Sequence, residues 1–460
     1  MGHIVDKQID IEADSAGQRR KLITSLAWPA LAENALASII SMVDMIMVSS
    51  LGSYAIAAVG LNIQPKFLLI SAFFAINVGT TALVAYNKGA RNPEGSSSAL
   101  HQALILTVAV TVVIGSAMLI FSEPLVRLIA GEGLSEQIIS EALVYIRIQI
   151  YGLPTISLTF TINAALRGAG NTRITFYNNI VANLINVVLN YCLINGNLGF
   201  PRMEVRGASI ATVLGQLSAL LMAIYAAANG KQYVRLVFRK LRKLDLSMMK
   251  SIVKIGVPSL VEQMIMRVGA IWFTSIAASL GDIPYAAHMV AINVQMVSFT
   301  TGMASGVAAT TLVGQSLGRK RADLAKIYVR MTQSMGVIVS LVIASIMFIC
   351  GRLITGMYSD DAIIIALASD MLKIIAVVNP IVNARTIYTS ALRGAGDVKF
   401  TAVTSFISML ALRPLLALLL VNVFNLGLTG VWIAFSSDFV TSFFIIWARY
   451  RRGKWTQIKI

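Results

Sequence analysis

The chain has 460 residues, 57% of them hydrophobic and 13% charged, with a mean hydropathy of +0.75 and a formal net charge of +17. This excludes a soluble domain of that size and describes an all-α polytopic membrane protein, because uninterrupted apolar runs of this length satisfy their backbone in lipid only as helices. Two isolated cysteines, Cys192 and Cys350, three scattered histidines, His3, His101 and His288, and no G-x-x-x-x-G-K-[ST] pattern exclude a disulfide framework, a cysteine metal site and ATP hydrolysis on this chain.

The first twenty residues, MGHIVDKQIDIEADSAGQRR, are polar with mixed charge, so no cleavable signal peptide is expected and the first span directs insertion. Twelve apolar runs follow, at roughly 24–50, 55–85, 98–121, 138–162, 173–194, 206–228, 251–278, 285–316, 328–350, 363–390, 399–423 and 427–448. Basic residues fall on alternate loops: Lys88 and Arg91, Arg167 and Arg173, the run from Lys231 to Lys250, Arg319 to Lys326, Arg393 and Lys399, and Arg449 to Lys454. The other loops carry Glu123, Glu132, Glu136, Glu141, Asp282, Asp360 and Asp361. By the positive-inside rule the basic face and both termini are cytoplasmic, in a cytoplasmic membrane. The positive charge then reflects topology and attraction to anionic headgroups, not nucleic acid.

The chain repeats itself. The stretch 165-ALRGAG-170 returns as 391-ALRGAG-396, with Pro154 and Pro380 at the same distance before it. At one constant offset, Pro29, Glu33, Leu51-Gly52, Ala57-Ala58, Leu83-Val84 and Gly89 are matched by Pro258, Glu262, Leu280-Gly281, Ala286-Ala287, Leu312-Val313 and Gly318. The expected domains are a six-helix lobe at 1–228, a basic cytoplasmic linker at 229–250 and a second six-helix lobe at 251–460. An even number of spans per repeat makes the lobes pseudo-symmetric about the membrane normal, with a cavity between them that opens to alternate sides. Proline inside the first span, Pro29, marks a hinge, and Pro65, Pro258 and Pro414 interrupt other spans.

The halves stop matching at polar residues. Asn179, Asn183, Asn186 and Asn190 lie on one face of the fifth span, and their counterparts are Ser405, Met409, Leu412 and Leu416. Glu33, Ser41 and Asp44 share a face of the first span, with Glu33 and Asp44 about 16 Å apart along the axis. Opposite Asp44 stands Phe273. An acid in the membrane interior costs roughly 2.5–3.5 kcal/mol or more unless paired or hydrated, and asparagine suits it, donating through its amide nitrogen while its carbonyl can ligate a cation. One carboxylate among neutral oxygens suits Na⁺ and suits a proton equally. In the second half, Glu262, Gln263, Arg267, His288, Arg385, Arg413 and Asp438 lie within spans, and mutual pairing is expected, with Glu262 or Asp438 neutralising Arg267, Arg385 or Arg413.

The stretches WPALAENALASIISMVDMIMVSSLGSYAIAAVG, GVPSLVEQMIMRVGAIWF, YAAHMVAINVQ and TTLVGQSLG, with the twin ALRGAG motifs, resemble the multidrug and toxic compound extrusion (MATE) antiporters over nearly the whole chain. The resemblance implies twelve transmembrane helices in two lobes around a V-shaped cleft, exporting amphiphilic or cationic drugs against entry of H⁺ or Na⁺, with no other cofactor and no oligomer required. It implies a coupling site of Asp44, Asn163, Asn186, Asn190 and Thr212, with Na⁺ possible at Asp44, Asn186 and Asn190. Glu33, Asn183, Ser41, Tyr145, Glu262, Arg267 and His288 are expected to line the cleft. Some archaeal members carry a second aspartate where this chain has Asn190, which argues against a mechanism needing two carboxylates in this lobe. A lipid-linked oligosaccharide flippase of the wider superfamily is the alternative, and Arg267, Arg385 and Arg413 speak for it. An intramembrane enzyme lacks any motif here, and the chain is expected not to be an enzyme.

Overall fold

The computed structural model describes residues 15–130 and 135–458; the polar N-terminal stretch with His3 and the loop position Glu132 lie outside the described residues. The first half forms α1 (Ala16–Ser49), α2 (Ser53–Leu61), α3 (Ile63–Gly89), α4 (Pro93–Ala130), α5 (Glu136–Tyr151), α6 (Leu153–Gly168), α7 (Thr172–Asn195) and α8 (Glu204–Ala228). The second forms α9 (Leu246–Ala278), α10 (Asp282–Gly318), α11 (Ala322–Ile349), the short α12 (Gly351–Thr355), α13 (Ala362–Gly394), α14 (Val398–Ser405), a π-helical turn (Phe406–Leu412), α15 (Arg413–Asn422) and α16 (Gly427–Arg451). Among the described residues eleven helices are long and apolar enough to cross a membrane, and α5 with α6, bent by 48°, supplies a twelfth span.

The chain divides into two compact units, residues 32–256 and residues 257–460, with the part of α1 up to Leu31 going with the second. The opening turns of α9 go with the first for a visible reason. A Cβ at Gly79 would lie 2.6 Å from the Ile252 carbonyl oxygen and one at Gly256 would lie 2.7 Å from that of Ala75, so α3 and α9 cross on two glycines.

Within each unit the repeat is legible atom by atom. Gly168 of the first ALRGAG sits against the carbonyl of Thr81, and Gly394 of the second against that of Thr310; neither has room for a side chain. The Thr81 hydroxyl donates to the Ala164 carbonyl at 3.0 Å, and the Thr310 hydroxyl to that of Ser390 at 2.9 Å. Gly207 on Leu193 is echoed by Gly430 on Leu420. The motif's last glycines, Gly170 and Gly396, take φ of 84° and 78°, and the twin helix starts at Gly52 and Gly281 take φ of 111° and 103°, where a side chain would be strained. ALRGAG is therefore a helix crossing followed by a turn.

Two local departures separate the units. The fourth span, expected as one run over 138–162, breaks at Gly152, where a Cβ would strike the Val213 side chain. Its counterpart α13 runs through Pro380 unbroken, with Val378 at the matching place. Conversely α7 is regular, whereas the span at 399–423 widens into the π-turn just before Arg413 and Pro414. A π-turn spaces the ladder by five residues and leaves backbone groups less evenly satisfied, and such turns cluster at functional sites.

Candidate functional site

In unit 1 the carboxylates of α1 meet the amides of α7. The Asn179 amide donates to Glu33 Oε1 at 2.7 Å and the Asn190 amide to Asp44 Oδ1 at 2.7 Å. Both pairs are 146 residues apart in sequence, so α1 and α7 run side by side in one register across three turns. The stripe thus serves two acids rather than one site. Asn183 lies half-buried between the pairs, and Ser41 is exposed.

Asn186 closes the second pair. With its amide nitrogen turned to the carboxylate it donates to Asp44 Oδ1 and Oδ2 at 2.9 and 3.2 Å, while its oxygen accepts from the backbone N–H of Thr212 at 3.1 Å. Gly215, one turn along α8, makes this possible: a side chain there would strike the Ala182 carbonyl and the Asn186 Cβ, so α8 approaches α7 only over a glycine. The structure therefore brings together Asp44, Asn186, Asn190 and Thr212. Asp44 is half-buried, and among the described residues no basic group lies within ion-pair distance of it; Lys66 is the basic residue whose charge reaches it. The carbonyl oxygen of Asn190 is buried with no hydrogen-bond partner. A carboxylate and an unused amide oxygen on neighbouring helices can receive a cation or a proton donor.

Asn163 stands one step away. It is buried, and its oxygen accepts from Asn178 at 3.2 Å, the one amide of the NN pair that the helical stripe leaves out. Tyr145 packs in the core among Val48, Ala55, Ile194, Val205 and Ala208. Glu33 also faces Arg167 of the first ALRGAG at 3.9 Å. Pro29 is buried in α1, one turn before Glu33.

The sequence model of the MatE family matches residues 29–192 and again residues 258–419. The chain belongs to the MATE family. It is similar to the probable multidrug resistance protein NorM of Thermotoga maritima, 28% identical over 95% of this chain and 93% of that protein. The uncharacterized transporter YisQ of Bacillus subtilis is 26% identical over 94% of both. Among solved structures, MATE in its bent conformation superposes with a TM-score of 0.88 at 22% identity, covering 95% of this chain and 96% of that one. An outward-facing multidrug resistance MATE transporter gives 0.87 at 23% identity, covering 96% and 97%. The MATE fold, a multi-pass all-α membrane protein, is shared throughout, and MATE proteins are transporters embedded in the bilayer rather than enzymes.

The second unit of this MATE protein answers Asp44 with aromatic rings. At the matching glycines, 207-GASIAT-212 aligns with 430-GVWIAF-435, so Phe435 stands for Thr212 as Phe273 does for Asp44. The two rings stack, centroids 4.9 Å apart at 15°. Beside them Arg413, 2% exposed, is paired with Asp438 through Nε at 2.9 Å and through Nη2, its guanidinium 4.7 Å from the Phe435 centroid. His288 is buried edge-on to Phe273 and Trp432, at 5.0 and 5.8 Å, so it sits in the aromatic core instead of lining a cleft. Arg267 is exposed.

The expected partner of Glu262 needs correction. Glu262, 1% exposed, pairs with Arg393 of the second ALRGAG at 2.9 Å and accepts from Thr401 and Ser405 at 3.0 and 3.1 Å. The positive-inside rule places Arg393 in a loop, whereas it lies in the last turn of α13 and turns inward. The signal was present: Glu33 and Glu262 are twins, as are Arg167 and Arg393, and a duplicated acid with a duplicated base asks to be paired. Glu262 is a member of that twin pair and fully engaged.

Proposed function

We propose that this MATE protein is a cation-coupled efflux antiporter for amphiphilic and organic cationic compounds. Its twelve spans form two six-helix lobes, 1–228 and 251–460, joined by the basic linker 229–250 around a V-shaped cleft, in a cytoplasmic membrane with both termini inside. One chain holds a complete cavity, so the monomer is the working unit. The observation that carries the reading is Asp44, an acid without a basic partner among the described residues, gripped by two amides beside an unused amide oxygen. The names of the relatives, multidrug resistance proteins among them, support the direction of transport.

In this reading H⁺ or Na⁺ enters the Asp44, Asn186 and Asn190 shell from outside. Neutralising Asp44 changes what the amides must satisfy, and α1 responds near Pro29, where the interior proline already removes one ladder hydrogen bond. The site residue Asn163 orders Asn178 behind the shell. The test is efflux of a fluorescent organic cation from proteoliposomes, under a proton gradient without Na⁺ and then under a Na⁺ gradient with pH clamped. Efflux under one gradient identifies the coupling ion; efflux that persists equally without either gradient, or after Asp44→Asn, would sink the reading.

A further inference from the structure

The interior of unit 2 does not balance its charges. Glu262 is held by Arg393, Asp438 by Arg413, and Asp397 by Arg449. Arg385, half-buried on α13, is left with the Ser405 hydroxyl at 3.5 Å and the Phe439 ring at 5.6 Å, and its Nε is buried with no partner. Among the described residues no carboxylate lies within ion-pair distance of it. Asp438 and Glu262 are near enough to act on Arg385 through space, but each is bonded to its own arginine, Asp438 through Oδ2 alone, with its Oδ1 buried and without a hydrogen-bond partner among the described residues. Ser405 gives its proton to Glu262, so it can only accept from Arg385.

A guanidinium stays charged at any physiological pH and offers five donors in a planar fork. Holding one inside a membrane protein with donors unused is costly, and the usual account of such a residue is function. Scaffold does not explain it, because the ALRGAG offset puts Thr159 at the matching place in unit 1, where it is buried and bonded to the Thr155 carbonyl at 2.6 Å. The fork matches a carboxylate in two parallel hydrogen bonds, and the Phe439 ring beside it offers a wall for an aromatic group carrying that carboxylate.

We propose that Arg385 receives the carboxylate of a transported amphiphile that carries one, and so sets the preference for such solutes; the inference rests on the efflux reading above. The probes are a rhodamine dye with a free carboxylate and its methyl ester, titrated against the purified full-length protein by fluorescence anisotropy. The wild type should bind the free acid more tightly than the ester, and benzoate should displace the acid but not the ester. Arg385→Gln should lower the acid-to-ester affinity ratio by about tenfold, the value of one charge-assisted hydrogen bond, and Arg385→Lys, which keeps the charge and loses the fork, should fall between. An unchanged ratio in Arg385→Gln overturns the proposal. If that variant does not fold, the wild type decides alone: preference for the ester, or benzoate displacing both dyes or neither, overturns it. Chloride competing as well as benzoate gives the site to an inorganic anion and overturns the assignment to the solute. Wild type that binds neither dye removes the efflux reading and this inference together, whereas binding of the ester without discrimination removes the inference alone.

Discussion

Where unit 1 sets Asp44 against Asn186 and Asn190, unit 2 stacks Phe273 on Phe435, at equivalent places in a duplicated scaffold. The groups the units share are paired in both: Glu33 with Arg167 and Glu262 with Arg393, Thr81 on Ala164 and Thr310 on Ser390. Of the groups they do not share, some are paired, as Arg413 is with Asp438 and Arg449 with Asp397, but among the described residues Asp44 in one unit has no base and Arg385 in the other no acid within ion-pair distance. Duplication thus separates two kinds of buried polar residue that burial alone cannot tell apart. Shared pairs hold helices together, and unshared charges left without a partner are where we propose that a solute or an ion binds.

The comparison breaks most sharply at Asp44. Replacing it by asparagine should abolish gradient-driven efflux, a loss of about a hundredfold or more, while the purified variant keeps its unfolding midpoint, because an amide among amides remains hydrogen-bonded. A variant that stopped efflux only by unfolding would make Asp44 scaffold after all. Next come the twin pairs. Arg393→Ala leaves Glu262 buried and charged and should cost about 3–5 kcal/mol, read as a large drop in the thermal midpoint. Arg167→Ala should cost much less, since Glu33 is partly exposed, meets Arg167 only at 3.9 Å and keeps Asn179. Equal losses would mean the pairs are not the same device at two depths.

A smaller effect tests whether the amides are ligands or helix glue. Asn186→Leu and Asn190→Leu install the residues that unit 2 carries at Leu412 and Leu416. Each should weaken the apparent affinity for the coupling cation by about tenfold, the worth of one lost polar contact near a charge, with maximal efflux largely retained. If instead both variants lost stability with cation affinity intact, the amides would serve helix association.

Much of this was legible in the residues. Apolar runs set the spans, a constant offset revealed the repeat, and its failure at Asp44 and the asparagines marked the unusual lobe. The partners were not legible. That the stripe divides between Glu33 and Asp44, or that Arg393 turns inward, depends on how far each helix is rotated and where two helices cross. Hydropathy does not encode this, because lipid-facing and buried positions of a span are apolar alike. Glycine was the missed clue: Gly215, Gly168 and Gly394 fix the crossings, yet each reads in sequence as one more small residue in an apolar run. The π-turn before Arg413 and the break at Gly152 escape for the same reason, since both are answers to packing.

The smallest expected effect concerns how the first helix of each sequence repeat starts. Helix α1 opens on a neutral capping box, Ser15 Oγ accepting from the Gln18 N–H at 3.1 Å and Gln18 Oε1 from the Ser15 N–H at 3.5 Å. Helix α9 opens on a charged cap, Asp245 Oδ1 accepting from the N–H groups of Ser247 and Met248 at 3.1 and 3.0 Å. The bonds from Met248 and from the Ser247 hydroxyl hold the Asp245 carboxyl below its ordinary value. A group whose folded pKa is depressed contributes stability that is complete above its unfolded pKa and is lost as pH falls through the folded one. Ser15→Ala and Asp245→Ala should each cost about 1 kcal/mol near neutral pH. On acidification below about pH 4, the ordinary carboxylate range, the penalty of Asp245→Ala should shrink while that of Ser15→Ala stays flat. Thermal midpoints of the three proteins measured across that range read the difference directly, and parallel curves would show that the charge at the start of α9 adds nothing to the hydrogen bonds it accepts.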